Sequence, residues 1–169
     1  TMDLSPYRLI LFGTTPIIED NVRLFIARQL ATAGRHIVLT GFTAWGNRSE
    51  VSAALATSFS GVTTANRALT TPTSTLTLDG HTEEQKLEPP QQVPIYDVPA
   101  ADVIGRWSDD SISAARRETS TATWWTFAVS PIDPSILRAI GHRAGCHIIN
   151  DHNDATMMGD GLIMIHTLD

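Results

Sequence analysis

The sequence predicts an α/β layered domain, and three observations predict it. Residues 7–42 read as strand, helix, strand; residues 133–149 repeat the helix-then-strand pattern; and two β-rich runs between them are split by a turn. In the opening unit, Tyr7–Phe12 and His36–Thr40 are short apolar runs rich in branched residues, which suits a parallel pair joined by a helix. Glu19 and Asp20 put negative charge at the positive end of that helix. Val22, Phe25, Ile26 and Leu30 recur on one helical face, and Gly34 stands where a left-handed residue ends the helix.

Beyond Thr40, the loop Gly41–Asn47 leaves the C-terminal end of a parallel strand, the edge at which open α/β sheets hold ligands. Trp45 in that loop either stacks on a sugar ring or closes the top of the core. Ser49 is a candidate cap for a short helix over residues 50–58, with Val51 and Leu55 inward. Residues 61–93 change character: threonine dominates, then acids, then Pro89-Pro90. They are expected to be a solvated excursion within a single domain of residues 1–169, with Thr73–Leu78 as an edge strand.

From Val103 the pattern is of short strands. Val103–Trp107 and Ile112–Arg116 flank Ser108-Asp109-Asp110-Ser111, which predicts a hairpin. Thr121–Val129 is another extended run, so Trp124 and Trp125 point to opposite faces. One is expected in the core and the other on a contact surface. The last helix carries Asp133 as its cap, Pro134 at its first position, an inward stripe of Ile136, Leu137, Ile140 and Ala144, and Gly145 as its stop. His147–Ile149, a turn over residues 150–154, and a final strand Leu162–His166 complete the expected order.

A chain of 169 residues with 42% hydrophobic residues can bury one core. A net charge of -6 and one lysine argue against a nucleic-acid partner, which needs a basic face. No apolar run reaches the length that spans a membrane. Thr1-Met2 at one end and a strand at the other lead us to expect a piece of a longer chain.

No catalytic set emerges. Cys146 beside His142 or His147 invites a thiol-nucleophile reading, with Asp151 as the acid, yet Cys146 follows a helix rather than a strand. Its other reading is a small buried residue. His142, His147 and His152 step by five, which does not align on a helix, and Asp151 to Asp154 fail the calcium-loop spacing. His147 and His166, on strands expected to be neighbours, could share a hydrogen-bonded site or sit satisfied in the core. No glycine-rich phosphate loop follows either strong strand, and no metal or cofactor is implied.

Three passages carry a family resemblance: Asp3 to Phe42, Val103 to Gly145 and Ala144 to His166. Together they resemble the class I glutamine-amidotransferase-like domain that follows the catalytic barrel in large bacterial glycoside hydrolases. In β-galactosidases this is called the trimerisation domain. The resemblance covers most of the chain outside residues 61–93. It implies a flavodoxin-like three-layer sandwich with a mostly parallel sheet and an added β-hairpin, without an amidotransferase triad. It also implies a non-catalytic partner of a catalytic barrel in the same parent protein, the barrel holding the catalytic glutamates. The chain departs from the family in lacking one further strand and helix upstream. Self-association and carbohydrate binding are the other partner classes it raises. Trp45, Trp107, Trp124, Trp125, His147 and His166 are the ligand or interface candidates, against the alternatives of a small cysteine hydrolase or a carbohydrate-binding module.

Overall fold

The computed structural model describes residues 6–148, 155–159 and 162–166. Its first strand, β1 (Leu9–Phe12), leads to α1 (Asp20–Phe25), which runs on as a π-helix over Ile26–Leu30. Strand β2 (Arg35–Thr40) then pairs parallel to β1, with Leu9 opposite His36 and Phe12 opposite Leu39. The opening strand–helix–strand unit is therefore present. The reversal before β2 uses two left-handed residues, Ala33 and Gly34, at φ 57° and 70°.

Helix α2 (Ala53–Ser60) begins three residues later than expected. The reason is local: Val51 is held in an isolated bridge to Gly46, so Ser52 becomes the cap, its hydroxyl accepting from the Leu55 N–H at 3.3 Å. Val51 consequently lies outside, 73% exposed.

Strands β3 (Thr63–Leu69), β4 (Thr73–Leu78), β5 (His81–Lys86), β6 (Gln91–Asp97), β7 (Val103–Trp107), β8 (Ile112–Glu118) and β9 (Ala122–Phe127) follow. The sheet runs β1-β2-β9-β8-β7-β4-β5, with β6 joining at β8 and β3 pairing with β6. Helix α3 (Pro134–Arg143) comes next, and β10 (Ala155–Gly159) pairs antiparallel with β11 (Leu162–His166) in a separate two-stranded sheet.

The flavodoxin-like three-layer sandwich is thus corrected. Among the described strands only β1–β2 and β2–β9 pair in parallel; every other pairing is antiparallel, and the mostly β sheet curls into a half-barrel. Residues 61–93, expected to be solvated, supply three of its strands and the start of a fourth. Their threonine-rich composition conceals an alternation that buries Val62, Thr64, Ser74, Leu76, Leu78 and Val93. Strand β4 is interior, flanked by β5 and β7, and the acids of β5 mark the sheet's outer edge. The helix-then-strand repeat fails too: Cys146, His147 and Ile148 after α3 form no strand, and the expected turn at 150–154 lies outside the described residues.

Two apolar clusters sandwich the parallel part. On one face Ile26 and Leu30 of the π-helix pack with Ile37, Leu39 and Trp124, joined by Ile10 and Phe12. On the other, Ile136 and Ile140 of α3 pack with Val38, Trp125 and Phe127, joined by Leu9. The cap of α3 is as the sequence indicates, Asp133 Oδ1 accepting from the Ser135 N–H at 2.7 Å.

Candidate functional site

Parallel strands that end together leave a crevice beyond their C-termini, and that is where a sheet of this kind holds a ligand. Here β1, β2 and β9 end in the loops 13–16, 41–46 and 128–131. Their hydroxyls are turned on the protein's own backbone. Thr40 Oγ1 accepts from the Thr14 N–H at 3.1 Å and lies 3.2 Å from Ser130 Oγ. Thr43 Oγ1 accepts from the Thr15 N–H at 3.1 Å and donates to the Thr40 carbonyl at 2.6 Å. Thr40 and Thr43 thus hold the three loops together.

Arg23 completes this closure. Its side chain donates to the carbonyls of Ile18 (2.8 Å), Ala44 (2.8 Å), Gly46 (2.9 Å) and Leu55 (3.1 Å), and its guanidinium lies over the Phe59 ring. One planar cation fixes α1, the Trp45 loop and α2 together. Burial lowers its pKa, opposed by the nearby Asp20 carboxylate. The sequence reading passed over Arg23, although a cation three residues before Ile26 on the inward stripe was the available signal.

The four tryptophans are all buried. Trp45 is 6% exposed and packs edge-on against Phe42, with 5.0 Å between ring centres, so it closes the core and presents no open stacking face. Trp107 donates its indole N–H to the Pro94 carbonyl at 3.0 Å inside the half-barrel. Trp124 and Trp125 do point to opposite faces, but both faces are covered: Trp124 meets Phe59 and Trp125 lies beneath α3 and the curled sheet. The expectation that one of the pair forms a contact surface is corrected by that double coverage.

His147 is exposed and lines a cleft of about 360 Å³ with Tyr7, Arg8 and the half-buried Cys146. His166 falls in β11 whereas His147 is on no strand, so the two are not on neighbouring strands as expected, and the His166 side chain and Asp151 lie outside the described residues. The Cys146 N–H continues the α3 end by donating to the Gly141 carbonyl at 2.9 Å.

A second cleft, of about 280 Å³, has Leu76, Ile132 and two prolines in its wall and Glu83, Glu84 and Asp133 at its rim. Two of these carboxylates serve α3, Asp133 as its cap and Glu83 by accepting from Ser135 Oγ at 3.2 Å. A smaller space collects Thr43, Ser60, Thr64, Tyr96 and Thr126. Full burial pushes the Tyr96 phenol well above its usual range, against a hydrogen bond with Thr126. Among the described residues no group of three or more His, Cys, Asp or Glu is placed to hold a metal ion.

No family model matches the chain, and no curated protein sequence matches it. Solved structures do. A β-galactosidase from Bacillus circulans sp. alkalophilus superposes with a TM-score of 0.65 at 16% identity, covering 86% of this chain and 24% of that one. A GH42 β-galactosidase from G. stearothermophilus, in a catalytic mutant form, gives 0.66 at 12% identity over 93% of this chain and 24% of that one. The β-galactosidase of the Antarctic haloarchaeon Halorubrum lacusprofundi gives 0.63 at 14% identity, with 86% and 23% covered. The chain therefore has the fold of a segment about a quarter as long as these β-galactosidases.

Proposed function

We propose that this chain is a non-catalytic accessory domain of a carbohydrate-active enzyme, a β-galactosidase-like glycoside hydrolase, and that it packs on a catalytic barrel of the same parent protein or on itself. The observation that carries the reading is the likeness of nearly the whole chain to a quarter-length segment of several β-galactosidases. The strand ends agree with it, because Thr40, Thr43 and Arg23 are spent on the domain's own loops. The sequence resemblance to the trimerisation-type domain adds the oligomerising role. Within that role the tryptophans hold the layers together, and contact falls to exposed apolar residues such as Leu11, Ile17, Leu24 and Phe25.

The test is made on the natural gene product with and without this domain. Hydrolysis of a chromogenic β-galactoside should have the same kcat per intact active site in both, while deletion changes the sedimentation coefficient beyond the lost mass. A gene product that encodes no further catalytic domain, or deletion that changes neither assembly nor stability, would sink the proposal.

A further inference from the structure

The chain leaves β1 through residues 13–17, and every one of them is exposed. The loop after β2, to which this segment is bonded, is buried: Thr43 is 4% and Ala44 0% exposed, and Gly46 is buried as well. An exposed segment thus covers a buried one at the ends of the parallel strands.

The two are held in different ways. The buried loop is fixed by Arg23, which donates to the carbonyls of Ala44 at 2.8 Å and Gly46 at 2.9 Å. The Ser52 N–H fixes it again by reaching the Trp45 carbonyl at 2.8 Å. Residues 13–17 are tied down through their backbone. The Thr14 and Thr15 amides donate to Thr40 Oγ1 and Thr43 Oγ1, each at 3.1 Å. The Thr15 and Pro16 carbonyls accept from the Ala44 and Gly46 amides at 2.9 and 2.8 Å. The carbonyls that Arg23 holds, on Ile18, Ala44, Gly46 and Leu55, all lie outside residues 13–17. A segment with exposed side chains, held by hydrogen bonds of modest net worth, opens more readily than a packed strand does.

Its ends suit a hinged piece. Gly13 stands at the start, its backbone outside the left-handed region and with no atom within 4 Å of where a Cβ would lie. Ile18 stands just past the other end, buried in the cluster of Ile26 and Leu30. Between them Thr14 rests on Gly41, where a Cβ would stand 3.0 Å from the Thr14 hydroxyl oxygen. We propose that residues 13–17 are a lid, hinged at Gly13 and Ile18, that opens without unfolding the sheet and uncovers the Thr40 and Thr43 hydroxyls at the strand ends.

Arg23 keeps the floor in place while the lid moves. Opening takes the acceptors away from the Ala44 and Gly46 amides, because both acceptors are lid carbonyls. The carbonyls of the same two residues stay on Arg23. Two amides of buried residues therefore meet water each time the lid lifts.

Native-state hydrogen exchange of the 169-residue chain reads this motion. The Ala44 and Gly46 amides should exchange together, about tenfold or more faster than those of Ile37 and Leu39, and independently of low urea concentrations. The latter two alternate with the His36 N–H, which bonds to Arg8, and so face β9 in the interior of the sheet. Gly13→Ala fits the closed form and restricts the open one, so it should slow both lid-dependent amides about two- to fivefold. Thr40→Val removes the acceptor of the Thr14 N–H and should speed both about fivefold. Exchange of Ala44 and Gly46 at the rate and urea dependence of Ile37 and Leu39 overturns the lid, as does a rate that Gly13→Ala fails to slow. Gly13→Ala decides even if Thr40→Val does not fold.

Discussion

The indole Nε1 of Trp125 donates a hydrogen bond to Nδ1 of His36 at 3.2 Å, with the two ring centres 5.8 Å apart. This contact ties β9 to β2 in the parallel part of the sheet and needs His36 with a bare Nδ1. Burial lowers the His36 pKa first of all; the Glu118 carboxylate opposes that, and the Arg116 and Arg143 cations reinforce it.

A pH dependence follows. With a folded-state pKa below the ordinary value of 6.5, the unfolded chain binds the His36 proton first as pH falls. Stability should therefore rise with pH from the folded pKa up to about 6.5 and be flat for this group above it. Urea unfolding across that range should show the slope in the native chain and lose it in His36→Gln. An equal slope in both would remove His36 as its source.

Removing Arg23 should be among the most costly side-chain changes outside the apolar core. Arg23→Ala strips hydrogen bonds from four carbonyls, and with charged donors worth about 1.5–3 kcal/mol each but not additive, a loss of about 3 kcal/mol is expected. Arg23→Lys should recover less than half, since an ammonium cannot reach four carbonyls from one plane. Chemical denaturation of the three proteins checks both.

Gly105 lies in β7 where the register to β8 shifts, and a Cβ there would stand 2.4 Å from Leu76 Cδ2 and 3.0 Å from the Thr75 carbonyl oxygen. Backbone cannot retreat as a side chain can. Gly105→Ala should destabilise by about 1–3 kcal/mol, visible as a lower urea midpoint at unchanged m-value.

The Asp79–Arg143 pair links the β4–β5 turn to α3 through two hydrogen bonds. The Arg143 hydrogen bonds hold the Asp79 carboxyl below its usual pKa, so the contribution is present above the unfolded carboxylate value and fades as pH falls through the folded one. Both side chains are more than a third exposed, so Asp79→Asn should cost no more than about 1 kcal/mol, and less in high salt. Melting curves at two ionic strengths test this.

Local periodicity made the opening unit, the β7–β8 hairpin and α3 legible in the sequence, because each is fixed by neighbours along the chain. The half-barrel was hidden because β3 and β4 bury threonine, serine and single aliphatic residues on one face, a pattern that composition reads as solvated. Trp125 and Trp124 alternate as the sequence requires, but what covers each face depends on α1, α2 and α3, whose packing is non-local. The closure at the strand ends was illegible for the same reason: Thr40 and Ser130 are ninety positions apart in the chain. Val22 and Phe25, placed inward by period, lie outside because Arg23 and Ile26 set the helix's rotation.

The claim that this domain keeps no reactive group for itself is most directly tested by initial-rate assays of the purified 169-residue chain. Chromogenic β-galactosides, esters and amides would be offered, before and after alkylation of Cys146. The account predicts rates equal to buffer in every case. Turnover that alkylation or Cys146→Ser abolishes would contradict it.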